Sequence, residues 1–398
     1  MLQASIQLYR NAYSGISKPV WWLSFVMLVN RSGTMVIPFL TVYLTKQGYT
    51  LTEAGIVMAC FGVGAIAGGY LGGRLTDNFG FYRVQVFSLL FNGILFIVLS
   101  YMHGLWQIGS CIFLLASLGE AFRPANAAAI AFYSNDNNRT RCYSLNRLAI
   151  NLGWAIGPAV GGILASINYN LLFWADGVTC IIASMLLYFF LFGQTKTSQQ
   201  KETTAEKEII SSVYKDKIFL QVMFFLLLIG ICFFQLFSMI PVFYRDEVHL
   251  SEITIGWVLA SNGLLIALIE MVLVYKIENK RSDIFYMTWG ILLISVSFML
   301  LAIAPLLSLV LLSMIFVTFG EMLLFPFTNS FWVSRSSVLT RGQYAAVYTM
   351  VFALAQVMSP LLSSAIALNF GFTILFLFDF ILCTMAGLGF IWLRKKII

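Results

Sequence analysis

Charge is the scarce commodity in this chain. Asp, Glu, Lys and Arg together make up 10% of the residues and apolar ones 60%, whereas soluble domains run at about 25% charged. That excludes a water-soluble globule. Histidine is almost missing: the two present, His103 and His249, fall near the predicted outer ends of apolar runs. A Ser-His-Asp arrangement or a hydrolytic metal site therefore lacks its usual base at membrane depth. The six cysteines, Cys60, Cys111, Cys142, Cys180, Cys232 and Cys383, stand far apart without a C-x-x-C pair, which supports neither a disulfide framework nor a metal site. Enzymatic chemistry, a resident metal and a bound cofactor are not expected. Polar stretches are missing as well, save residues 194–216 (QTKTSQQKETTAEKEIISSVYKD), which read as a solvated linker. The first twenty residues have no cleavable-signal pattern, so the first span is expected to insert unprocessed.

What is present is length in apolar runs. A hydrocarbon core of about 30 Å takes about 20 helical residues to cross. Spans are expected near 20–44, 53–72, 83–102, 108–133, 143–166 and 170–192, then 217–244, 253–275, 284–305, 307–332, 343–368 and 371–393. Lys and Arg near span ends stay on the cytoplasmic side. With both termini placed there, most of the 24 basic residues lie inside, Lys46 and Arg245 lie outside, and Arg31 and Arg123 fall within spans. The net charge of +7 is thus a topology signal and not a nucleic-acid footprint.

The chain also repeats itself. Gly119 and Glu120 return as Gly320 and Glu321, Pro124 as Pro326, Asn126 as Asn329, Pro158 as Pro360, Asp176 as Asp379 and Cys180 as Cys383, while Pro38 and Gly55 return as Pro241 and Gly256, always 201 to 203 residues on. A period near half the chain predicts an all-α membrane protein of twelve transmembrane helices in two pseudo-symmetric six-helix bundles, with a site at their interface. The bundles are expected at 1–193 and 217–398, joined by the linker at 194–216.

Two local motifs are informative. Between spans 2 and 3 the chain reads GGRLTDNFGFYRV, with Gly73, Asp77, Gly80 and Arg83. Gly73 permits close helix approach, Asp77 can meet a helix N-terminus or an Arg, and Gly80 allows a tight turn. Span 5 carries NLGWAIGPAVGG, with Gly153, Gly157, Pro158, Gly161 and Gly162. Glycines on one helical face admit a partner helix, and the proline permits a bend. The first motif resembles the loop motif of the major facilitator superfamily, departing from it at Asn78 and Phe81, where a basic residue is usual. The second resembles a motif of that superfamily's drug and proton antiporter branch. The resemblance implies alternating access, with the first motif latching the halves in the outward-open state, and it implies export.

Ionisable groups at membrane depth cost several kcal/mol, roughly 2.5 to 3.5 on insertion scales, and mark function. Arg31, Glu120, Arg123 and Glu321 are expected at mid-span. Glu120 and Arg123, three residues apart, share a helix face; Glu120 is either a proton carrier or half of a structural ion pair. Glu321 has no basic neighbour in its own helix, which makes it the favoured proton-coupling residue, with Glu120 second. Asp176 and Asp379 are read as structural, and Glu270 as lining a vestibule or snorkelling. Arg31, Arg123, Asn126, Asn151, Gln235, Asn262, Asn329 and Gln356 are the candidate substrate-binding groups. The expected function is proton-coupled export of amphipathic small molecules from a bacterial cytoplasmic membrane by a monomer, with the proton as coupling ion and the lipid bilayer as surroundings. Two alternatives stand: proton-coupled import of a small anionic metabolite, which two central guanidinium groups would suit, and a facilitator-like scaffold that no longer cycles.

Overall fold

In hydrocarbon the backbone has no partner but itself, so each apolar run satisfies its N–H and C=O groups by closing into a helix. The structure, a computed structural model, describes residues 15–134, 139–191, 213–277, 280–336 and 341–397. Among these, twelve helical segments are long and apolar enough to cross a membrane. They are α1 (α1a, Lys18–Ser32, and α1b, Val36–Lys46), α2 (Leu51–Phe79), α3 (Phe81–Leu99), α4 (Leu105–Tyr133), α5 (Arg139–Ile167) and α6 (Asn170–Leu191). The second series is α7 (α7a, Lys217–Phe233, and α7b, Met239–Asp246), α8 (Glu252–Ile277), α9 (Asp283–Ile303), α10 (Leu307–Arg335), α11 (Arg341–Phe370) and α12 (Phe372–Ile397). The protein is an all-α integral membrane protein.

The first and seventh spans are each built from two helices. α1 is interrupted at Gly33, Thr34 and Met35, and α7 by a 3-10 turn over Phe234–Phe237. Pro38 and Pro241 explain the placement. Each lacks an N–H, and each sits in the first turn of the restarted helix, where that donor would have no intrahelical acceptor anyway. The N–H groups that the first break frees are met from α6. Met35 N–H donates to both carboxylate oxygens of Asp176 (3.0 and 3.2 Å) and Val36 N–H donates to Oδ2 (2.9 Å).

Packing follows the repeat. In the first half α2 lies on α4, α3 on α4 and α6, and α1 on α5 and α6; in the second α8 lies on α10, α9 on α10 and α12, and α7 on α11 and α12. The halves meet through α5 against α8 and α2 against α11, two contacts that the same repeat relates. They close tightly on the face opposite the linker. There Lys46 at the end of α1b pairs with Glu252 at the start of α8, Tyr169 donates its hydroxyl to the same Glu252 (3.1 Å), and Arg245 Nη1 donates to the Val42 carbonyl (2.9 Å). Toward the linker face α2 draws away from α11: among the described residues nothing approaches within 4 Å of where a Cβ would stand on Gly69 or Gly73, whereas Gly55 and Gly62 lie against α11.

Residues 194–212 of the expected linker lie outside the described residues. Of its last four, Tyr214 and Lys215 are exposed while Val213 and Asp216 are engaged by the second bundle. Val213 is buried and its N–H donates to Gln343 Oε1 (3.3 Å). Asp216 caps α7a through the Phe219 N–H (3.0 Å), takes two bonds from the Arg335 guanidinium (2.8 Å each) and one from the Tyr344 hydroxyl (2.9 Å). Burial pushes its carboxyl upward, but the Arg335, Phe219 and Tyr344 bonds outweigh that and hold it below the usual carboxylate range. A depressed carboxyl contributes stability above the unfolded value of about 3.9 and loses it as pH falls through the folded one. Asp216→Asn is therefore expected to lower the thermal midpoint by a few degrees at neutral pH, with the gap to wild type closing below about pH 4 in a pH series of melting curves.

Candidate functional site

Gly153, Gly157 and Gly161 recur every fourth residue and so share one face of α5. A Cβ on Gly153 would stand 2.4 Å from the Arg31 Cβ, one on Gly157 2.9 Å from the Thr34 carbonyl, and one on Gly161 3.1 Å from the Met35 Cβ. Those three glycines seat the break in α1 and set the position of Arg31. Gly162 faces elsewhere: its Cβ would meet the Glu252 carbonyl at 2.4 Å, and opposite it a Cβ on Gly256 would stand 2.3 Å from the Pro158 carbonyl. The reading of one packing face is corrected to two, one for α1 within its half and one for α8 across the interface.

Between the halves lies a cavity of about 650 Å³. Arg31, Glu120, Arg123 and Asn151 reach it from the first half, and Asn262, Glu321, Asn329 and Gln356 from the second. Arg123 Nε lies 3.0 Å from Glu120 Oε2, one helical turn away, and 59% of the Arg123 side chain is accessible, so the pair faces open space. Arg31 Nε is buried without an acceptor among the described residues. Across the cavity Glu321 is buried, and Asn262 Nδ2 donates to its Oε1 (2.8 Å) and to Thr318 Oγ1 (3.0 Å). Among the described residues no basic group lies in ion-pair reach of Glu321. The rest of the wall is aromatic: Phe233 packs edge-on to Phe325 (5.1 Å between centroids), Phe325 on Phe352 (5.8 Å), and Trp154 meets Phe237 across the halves (5.1 Å). An apolar wall with a few convergent polar groups is the ordinary form of a small-molecule site.

Two of the candidate binding residues do not reach the cavity. Asn126 is buried within its bundle, accepting from Gln85 Nε2 (3.2 Å) and donating to Asn146 Oδ1 (3.3 Å). Gln235 is buried at the α7 break and donates to Asp379 Oδ1 (2.8 Å). Both amides serve interhelical bonding because they sit on packed faces. Of the loop motif, Gly80 holds φ at 81° and makes the α2–α3 corner, a conformation that favours glycine. Arg83 is exposed, a Cβ on Gly73 would meet nothing within 4 Å among the described residues, and the Asp77 side chain lies outside them. Sequence reasoning missed Arg147, which was counted with the loop charges. It lines the cavity and pairs with Glu270 of α8, bridging the halves. The spacing Arg147, Asn151, Trp154, Pro158 was the available signal, since steps of four, three and four keep one helix face.

Two six-helix bundles closed at one face around a central polar cavity define a membrane carrier. The family model of the Major Facilitator Superfamily matches residues 20–356 and again 247–397, and the chain belongs to that superfamily. One relative is the Na(+), Li(+), K(+)/H(+) antiporter of Planococcus maritimus, 24% identical, with 92% of this chain and 93% of that one covered. Another is the quinolone resistance protein NorA of Staphylococcus aureus (strain MSSA476), 22% identical over 73% of this chain and 74% of its own. Among solved structures, a POT family transporter in complex with 5-aminolevulinic acid has a TM-score of 0.83 at 16% identity, covering 97% of this chain and 98% of that one. The nucleoside transporter NupG has 0.79 at 13%, covering 94% and 98%. The chain is a facilitator-type transporter and not an enzyme.

The α5 seat yields a prediction. Gly153→Val forces β-branched bulk against the Arg31 Cβ and backbone, an overpacking that costs about 1–3 kcal/mol. The melting temperature of the purified variant is expected to fall accordingly, while Gly69→Val, with nothing near its Cβ, leaves it within a degree or two of wild type, by about the ±0.5 kcal/mol typical of surface changes.

Proposed function

We propose that this transporter exports amphipathic small organic molecules in exchange for protons, by alternating access. The observation that carries the reading is Glu321, buried in an aromatic wall of the cavity with an amide, Asn262, as its partner instead of a cation. Such a carboxyl takes up and releases a proton as the cavity's exposure alternates, and each protonation state favours a different arrangement of the halves. Glu120, already paired with Arg123, is the second proton-coupling candidate, freed when substrate or movement breaks that pair. No further cofactor is required.

Cavity size supports an organic substrate. About 650 Å³ falls within the roughly 300–1,000 Å³ of small-molecule sites and far exceeds what a bare alkali cation occupies. The relative named for quinolone resistance and the one named as a cation/proton antiporter agree with exchange-driven export. Arg31, Arg123, Asn151, Asn262, Asn329 and Gln356 are the groups that would orient the substrate. The concentration of basic residues at the linker face supports a cytoplasmic position for that face and for both termini, with the carrier open inward. We assign it to a bacterial cytoplasmic membrane, as a monomer of two units at 1–193 and 217–398.

A second reading, proton-coupled import of a small anion, is favoured by the three arginines at the cavity and by the acceptor-free Arg31 Nε. Thermal stabilisation against lipophilic cations and against small carboxylates and phosphates separates the two, since a ligand stabilises by its own binding energy. Export is expected to show in the first panel and import in the second. For the coupling itself, proteoliposomes carrying an internal pH dye are expected to show substrate-evoked proton movement with wild type and none with Glu321→Gln. Undiminished movement in that variant removes Glu321 from the coupling role, and no movement with any compound leaves a non-cycling scaffold.

A further inference from the structure

The repeated aspartates of α6 and α12 brace corresponding breaks, in α1 and α7, yet they are bonded by different chemistry. Asp176 receives three backbone N–H bonds from Met35 and Val36. Such donors at a helix start suit a carboxylate anion. Asp379 meets side chains in the same place: Gln235 Nε2 donates to its Oδ1 (2.8 Å), and the Cys232 thiol is its other side-chain partner. The repeat offset of 203 matches Gln235 to Ser32, whose shorter side chain turns back to the Leu28 carbonyl (2.8 Å). The amide at position 235 therefore takes up the carboxyl that, in the first half, reaches the backbone.

Two acceptors are left over. Gln235 Oε1 and Asp379 Oδ2 are both buried and lack a donor among the described residues, and the residues are 1% and 0% exposed. Stranding two buried oxygens, one of them charged, is costly. A single proton shared between Asp379 Oδ2 and Gln235 Oε1 would satisfy both at once, with Gln235 Nε2 keeping its bond to Oδ1. The result is a neutral carboxylic acid–amide pair with every polar atom used. We propose that Asp379 holds a proton in this conformation, shared with Gln235, so that the joint between α12 and the α7 break is a second proton-binding site besides the cavity carboxylates.

The surroundings agree with a neutral acid. The titratable groups that face Asp379 are Cys232 of α7, whose Sγ lies 3.9 Å from the Asp379 carbonyl oxygen, and Cys383 one turn on in its own helix. From α9 come uncharged hydroxyl contacts, Ser295 to the Phe380 carbonyl (3.1 Å) and to Thr384 Oγ1 (2.7 Å). Among the described residues neither α9 nor α11 brings a charged group to the carboxyl. The proton comes from the bath and returns to it, with no other reactant. Its loss would set a buried anion against the amide oxygen, so release requires α7 to rearrange at the break, exposing the carboxylate to water or to freed backbone N–H groups as α1 does for Asp176. The inference does not depend on the substrate, on the direction of transport or on Glu321.

Infrared spectra of the reconstituted full-length protein at neutral pH test it, in H₂O and in D₂O, for wild type, Asp379→Asn and Gln235→Leu. The wild-type minus Asp379→Asn difference is expected to contain a protonated-carboxyl C=O band that moves to lower frequency in D₂O. In Gln235→Leu that band is expected at higher frequency, because the carbonyl has lost its N–H donor. A difference that shows lost carboxylate bands and no protonated-carboxyl band overturns the proposal. Should Asp379→Asn fail to fold, Gln235→Leu decides alone: a displaced carboxylic acid band upholds the pair, and an unchanged acid region overturns it.

Discussion

The seat of α1 on the glycine face of α5 is the contact from which the rest of the site is built. Gly153, Gly157 and Gly161 let the interrupted backbone at Gly33–Met35 come within van der Waals distance of α5, and Asp176 takes up the N–H groups that the interruption frees. Without that capping, the break would strand donors in a medium that offers none. Arg31, in the last turn before the break, is thereby fixed beside Glu120 and Arg123 at the cavity wall. The next glycine, Gly162, lies against α8 of the other half, and farther along the same helix Arg147 reaches Glu270. α5 thus carries both the internal seat of its bundle and the contact with its neighbour, so displacement of α8 is felt at the α1 break through a single rigid element.

The two halves have kept their carboxyl positions and changed the partners. In the first half both repeated carboxyls face groups of positive character: Glu120 the Arg123 guanidinium, Asp176 the N–H groups of a helix start. In the second half both face side-chain amides: Glu321 meets Asn262, and Asp379 meets Gln235. An amide can donate to an anion or, through its oxygen, accept from an acid, whereas a guanidinium can only donate. The difference that follows is between a half whose carboxyls meet donors only and a half whose carboxyls meet groups able to donate or to accept.

Much of this could be seen in the sequence because hydrocarbon punishes exceptions. Arg31, Glu120, Arg123 and Glu321 stood out as charges at mid-span, and the repeat related Glu120 to Glu321 across an expected bundle interface. Neutral amides carry no such mark. On helices that are apolar all round, nothing in the pattern distinguished Asn126 and Gln235, which bond within the packing, from Asn262 and Gln356, which line the cavity. The breaks in α1 and α7 were hidden for a related reason: Pro38 and Pro241 were visible as a repeated pair, but a proline within an apolar run reads equally as a bend. Arg147 was lost to the topology rule, which counts basic residues near span ends without asking which face they occupy. The partners of Asp216 were equally hidden, because polarity marks loops in general and cannot tell a solvated residue from one engaged by Arg335 and Tyr344.

The closed face offers one more consequence. Lys46 and Arg245, the two basic residues assigned by sequence to the basic-poor side, both bond across the halves, to Glu252 and to the Val42 carbonyl. The Lys46 side chain is 43% accessible, so its attraction to Glu252 is felt through water and its dissolved ions, whose screening length is about 8 Å at physiological ionic strength. A more saline medium weakens that clasp. The strength of the closed face therefore depends on the ionic strength of the fluid that bathes it.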